Sequence, residues 1–191
     1  VGTCETSTNA RMYHIRVTAT SDKYKVGHPR ITDGYTDPGA DNAKLVSPSF
    51  MIASRLGAIY TNYGNLDDIK DFSNYTVAED GKITGTILDN NSNGIADRME
   101  ILREHCLNYV EVYKDENGNA VVLDDWRVPT KAEIDIIIGL QGTKNQDADA
   151  IDYLLNGSYY MSASGPVYNN KNDNANANQS AIRCVRDAYV K

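Results

Sequence analysis

Helix-period patterns in the middle of the chain and strand-like runs at both ends predict an α+β domain whose sheet joins the two termini. The third observation is size. The chain has 191 residues, 41% of them hydrophobic, enough for one main core with appended strands and loops. It is read as a strand and turn-rich lead-in over residues 1–45 and a main domain over residues 46–191.

The first element in chain order is RMYHIRVTA, residues 11–19, where Met12, His14 or Ile15, and Val17 fit a β-branched strand. VGHPRITDGYTDPGADN, running toward Leu45, is punctuated by Gly, Pro and Asp and predicts little regular structure. PSFMIASRLGAI offers a short apolar strand ending at Gly57. Residues 60–88 are polar, with a short hairpin expected around AEDGKITGTI.

A helix comes next. Met99, Leu102, Cys106, Tyr109 and Tyr113 recur at steps of three and four, while Arg98, Arg103, Glu104 and Glu111 lie largely off that stripe, so Cys106 faces the core. DENGNA, residues 115–120, reads as a turn. VVLDDWRVP leads into a second helix, whose start is marked by Pro129 and a capping box from Thr130 to Glu133. Ile134, Ile137, Ile138 and Leu140 supply its buried face. A third helical turn is expected near residues 148–155, stopped by Asn156-Gly157. The strand SYYMSAS, an Asn-rich loop from about 165 to 180 and the strand AIRCVRDAYV end the chain.

The charge balance narrows the partners. Net charge is −7, pI is near 4.9, and the 19 basic residues are scattered, which argues against nucleic acid and anionic membrane. No apolar run approaches the length that spans a bilayer, so no transmembrane segment is expected. The chain begins at Val1 without an apolar leader and reads as a mature or trimmed form. Thirteen Tyr against two Phe and one Trp, with abundant Asn and Asp, is a composition favoured in binding loops.

Catalysis is not expected. His14, His28 and His105 show no ligand spacing, and His105 projects about 100° away from Cys106 on a helix, a poor geometry for a nucleophilic dyad. There is no G-x-S-x-G elbow and no phosphate-cradling glycine loop. The paired Asp residues at 67–68 and 124–125 read as solvated faces or caps.

From Asp89 the sequence DNNSNGIADRME fills the pattern D-x-[DN]-x-[DN]-G-x5-E at every specified position. Asp89, Asn91 and Asn93 would offer side-chain oxygens, Ile95 its carbonyl, Asp97 a direct or water-bridged contact, and Glu100 a bidentate carboxylate. Gly94 would take the sharp turn. With two neutral amides in the set, the affinity for Ca2+ would be weak, on the order of 10⁻⁴ to 10⁻³ M, suited to a structural ion. The alternative is a polar turn that caps the helix.

Cys4, Cys106 and Cys184 lack the C-x-x-C spacing of zinc or redox sites and permit three single disulfides. The expected topology brings Cys184 near the first helix. A Cys106–Cys184 bridge would fit an exported protein, and buried free thiols remain the other option.

DDWRVPTKAEIDIII, YYMSASGP and AIRCVRD, supported by SPSFMIASRLGA and HCLNYVE, resemble the C-type-lectin-like domains that end many Bacteroidetes surface and fimbrial proteins. The likeness runs from about Val46 to Lys191, with a lead-in from about Tyr13. It implies a C-type lectin-like fold, a mixed or antiparallel sheet flanked by two helices, with an extended N-terminal strand segment. It implies that terminal strands pair and that Cys106 on the first helix joins Cys184 on the last strand. The loop before the final strand, including Tyr168, Asn169, Asn170, Asn172, Asp173 and Asn174, would carry ligand contacts.

The triplets E-P-N or Q-P-D and the W-N-D of calcium-dependent sugar binders are absent. The WR-[LV]-P-T-x-x-E element also occurs in formylglycine-generating enzymes, whose paired catalytic cysteines have no counterpart here. The resemblance therefore implies a non-enzymatic adhesin or fimbrial tip subunit at the bacterial cell surface. Its partners would be other fimbrial subunits and a host or microbial glycan or protein. The alternative is a structural pilus subunit that binds only its neighbours.

Overall fold

The computed structural model describes residues 2–7, 10–32, 35–54, 59–62, 76–77, 83–84, 97–140, 159–170 and 179–188. The elements in chain order are β1 (Gly2–Ser7), β2 (Ala10–Arg16), β3 (Lys25–Val26), β4 (Ile31–Thr32), β5 (Tyr35–Thr36), β6 (Leu45–Val46), β7 (Ser49–Ile52), β8 (Ile59–Asn62), β9 (Thr76–Val77) and β10 (Ile83–Thr84). After these come α1 (Asp97–Asn108), β11 (Glu111–Lys114), β12 (Ala120–Leu123), α2 (Lys131–Leu140), β13 (Tyr159–Ser162), β14 (Gly165–Tyr168), β15 (Gln179–Ile182) and β16 (Val185–Asp187).

One four-stranded sheet has the order β1-β2-β7-β16 and a second the order β14-β13-β15-β8. In the first sheet every pairing is antiparallel, and β7 lies between the N-terminal β2 and the C-terminal β16. The terminal strands thus share a sheet as expected, joined through β7 and not directly. Near the two ends of residues 46–191, β7 and β16 are immediate neighbours.

Strand alternation divides the interior in two. Tyr13, Ile15, Phe50, Ile52 and Val185 point to a core completed by Ala132, Ile134, Ile137 and Ile138 of α2 with Tyr160 and Val167. Met12, Met51, Ala53 and Cys184, one position out of phase, belong to a second core with Cys106, Leu123, Trp126, Val128, Met161, Ala163 and Ile182. The sheet is therefore covered on both faces.

Two stretches read as single strands each break and change sheet. PSFMIASRLGAI yields β7 in the first sheet and β8 in the second, and AIRCVRDAYV yields β15 in the second and β16 in the first. The crossings meet: the Ala53 amide donates to the Cys184 carbonyl at 2.9 Å, and buried Arg183 donates through Nε to the Ala53 carbonyl at 2.8 Å. A continuous apolar run cannot show this, because the break is set by pairing partners.

α1 ends at Asn108, short of the Tyr113 reached by its periodic stripe. A step of four residues is even, so Tyr109 and Tyr113 satisfy strand alternation as well as helical repeat. β11 and β12 form a hairpin around the expected turn, with Glu111 opposite Leu123 and Val112 opposite Val122. Asp115 Oδ1 accepts from the amides of Asn117 and Asn119, at 2.9 and 2.8 Å, inside that turn. The hairpin expected around AEDGKITGTI is present as β9 and β10, paired Thr76 to Thr84 and Val77 to Ile83.

The lead-in has more regular structure than its punctuation suggests, since β3 pairs with β6 and β4 with β5. Buried Asn42 organises it, accepting from the Arg30 amide at 2.7 Å and donating to the Asp37 carbonyl at 2.8 Å. The first four residues of the expected Asn-rich loop form a strand, because β14 pairs back on β13 from Gly165, whose φ of +124° suits glycine. The helical turn expected near 148–155 lies outside the described residues.

α2 begins with the capping box. The Glu133 amide donates to Thr130 Oγ1 at 3.2 Å and the Thr130 amide to Glu133 Oε2 at 2.9 Å. Ile134, Ile137 and Ile138 are buried as expected, whereas Leu140 is 39% exposed. It closes the helix, about 240° around from Ile134 at 100° per residue.

Candidate functional site

The acidic stretch precedes α1 in the sequence. Asp97 is the first residue of the helix and Glu100 falls in its first turn. Asp89, Asn91, Asn93 and Ile95 lie outside the described residues.

The far end of α1 is pinned. Cys106 and Cys184 form a disulfide with Cα atoms 5.5 Å apart, and both residues are fully buried. The bridge lands where the chain passes between sheets, so α1 is tied to that crossing and not to a strand's free end.

A charged cluster that residue spacing alone does not bring together joins the start of α2 to β16. The Arg127 guanidinium donates to Glu133 Oε1 and Oε2, both at 2.8 Å, and to Asp187 Oδ1 at 2.8 Å and Oδ2 at 3.3 Å. A longer contact at 3.4 Å reaches the Val128 carbonyl. Glu133 also accepts the Ser47 and Thr130 amides, at 3.1 and 2.9 Å. Burial alone would lower the Arg127 pKa, but the attraction and hydrogen bonds of the two carboxylates raise it, and the guanidinium stays charged. Arg127 also bridges in backbone register to Val185. The likeness-bearing segments WRVPTKAE and RCVRD thus meet at one structural clamp.

The expected ligand stretch begins at the end of β14. Tyr168 is 62% exposed, sits directly opposite Tyr159 in the β13–β14 register, and its ring centroid lies 5.3 Å from that of Tyr159, tilted by 57°. Asn169 is buried and Asn170 exposed. Asn172, Asp173 and Asn174 lie outside the described residues. Tyr159, the partner that sets the Tyr168 ring, was not singled out in the sequence. Its signal was the paired YY of SYYMSAS facing a strand that read as loop.

The chain is homologous to part of a fimbrial subunit. It is 30% identical over 161 residues, 82% of this chain, to the major fimbrium tip subunit FimD of Porphyromonas gingivalis. A second FimD sequence from that species matches to the same extent. The chain spans about a fifth of the length of these relatives, 21%. No family model matches, and no solved structure matches. Among the described residues no helix is long and apolar enough to cross a membrane.

Proposed function

We propose that the chain is a non-enzymatic module of a fimbrial protein, carried on the bacterial cell surface, that binds a glycan or protein ligand through the surface beginning at Tyr168. The similarity to a fimbrium tip subunit over 82% of the chain carries the reading. The exposed Tyr168 ring, set against half-buried Tyr159, supports it, since it offers a rigid amphipathic anchor at low entropic cost. The C-type lectin-like fold belongs to the same proposal. Its support is the Cys106–Cys184 bridge, the neighbouring β7 and β16, and the two helices against strands.

Screening the chain against a glycan array and a panel of host proteins tests the binding role. A ligand is expected whose affinity falls about tenfold in Tyr168→Ala, the effect of losing one anchor. Silence on both panels together with binding to fimbrial subunits would replace this reading with the structural one.

The stretch from Asp89 to Glu100 is proposed to hold a structural Ca2+, supported by its complete ligand pattern and by the placement of Asp97 and Glu100 at the start of α1. At 10 mM calcium and the weak affinity above, binding adds about 1.4–2.7 kcal/mol, which raises Tm by roughly 3–10 °C. Asp89→Ala abolishes the rise. A melting curve indifferent to calcium would remove the ion.

A further inference from the structure

The last turn of α1 and the chain just beyond it form a shallow groove of about 410 Å³, lined by Glu104, His105, Asn108, Tyr109 and Val110. Its aromatic wall is built. The His105 and Tyr109 rings lie 5.8 Å apart and tilted by 32°, and Tyr109 rests 5.5 Å from the buried Trp126. Burial pushes the Tyr109 phenol up to about 12, the nearby Glu111 adding to this against a hydrogen bond from Ser54, so the phenol is neutral at any physiological pH.

The groove's fixed charge is negative. Glu104 brings a carboxylate and the end of a helix brings the negative pole of its dipole, while the basic member of the lining is a histidine, His105, with no Lys or Arg beside it. The whole chain carries −7. Apolar surface continues from the rim: Leu107 is 38% exposed, Val110 50%, Val112 55% and Val122 57%. Val112 and Val122 face each other across the β11–β12 hairpin and form one patch.

We propose that this groove and the valine face beside it dock a partner protein that presents an arginine flanked by apolar residues. The cation recommends itself by charge complementarity to Glu104 and the helix end. Arginine fits better than lysine because a planar guanidinium can stack on Tyr109 while forking onto a carboxylate. The flanking apolar residues cover valines that an isolated domain would leave in water. None of the Tyr168 surface is used, so this site stands or falls separately.

The experiment is an amide chemical-shift titration of the 191-residue chain with acetyl-Val-Arg-Val-amide. The neutral isostere acetyl-Val-citrulline-Val-amide and the Glu104→Gln variant serve as comparisons. Saturable shifts confined to residues 104–112 and Val122 are expected, with binding about fivefold weaker for the citrulline peptide and for Glu104→Gln. Glu104 is exposed, so unchanged melting is expected of that variant. Equal binding of both peptides, or shifts elsewhere, overturns the proposal. Shifts of these amides on concentrating the chain without peptide would assign the face to a second copy and overturn it equally.

Discussion

Glu133→Ala lowers the stability of the chain by about 3–5 kcal/mol, because it leaves the Arg127 guanidinium buried with one carboxylate in place of two. Arg127 is 2% exposed, Glu133 fully buried and Asp187 8% exposed, so bulk solvent does not screen the charge that has lost its partner. The same substitution removes the acceptors of the Ser47 and Thr130 amides, hence the reciprocal half of the α2 capping box. For a chain of this size the loss corresponds to a Tm drop of roughly 6–20 °C. The control lies two residues away. Lys131 pairs with Asp135 at 2.9 Å, but both side chains are at least half exposed, and Lys131→Ala costs about 0.3–0.5 kcal/mol. Chemical denaturation of the two variants decides the matter: equal losses would mean that the clamp contributes no more than a solvated pair.

That clamp also marks the limit of reading the sequence. The capping box was visible because Thr130 and Glu133 lie three residues apart and act locally. The convergence of Arg127 and Asp187, 60 residues apart, is tertiary and leaves no periodic trace. α2 and its Ile134, Ile137, Ile138 face were readable for the same local reason, as were the hairpin turn at Asp115 and the buried side of Cys106. What escaped were the places where a single pattern serves two structures. The stripe through Tyr109 and Tyr113 suits helix or strand, and it crosses the true boundary at Asn108. AIRCVRDAYV reads as one strand, yet its halves pair with β8 and β7 in different sheets. At the proposed binding surface Tyr168 could be named from the resemblance, but its ring-setting partner Tyr159 needed the β13–β14 register. The groove at the end of α1 depends on where that helix stops, so an extended helix would have hidden it.

Removing the disulfide by Cys106→Ala with Cys184→Ala is expected to cost about 4.5 kcal/mol, the loop-closure entropy returned to the unfolded chain when a 78-residue separation is no longer bridged. Against a total stability of about 5–15 kcal/mol for a domain, that leaves a protein close to melting, with Tm lowered by roughly 9–18 °C. Both sulfurs sit in the core at zero exposure, so part of the alanine effect is lost packing. Reduction without mutation separates the two, since the thiols still fill the space and only the tether is gone. The loss is not uniform over the molecule. α2 keeps the Arg127–Glu133–Asp187 clamp, whereas α1 loses its covalent tie to the crossing at Ala53 and Cys184. Amide exchange should therefore quicken in residues 103–108 well before it does in α2, and the groove around Tyr109 should lose its shape with them. If reduction leaves melting and α1 exchange unchanged, burial of Cys106 among Trp126, Val128 and Met161 already holds the helix, and the bridge contributes little to the fold.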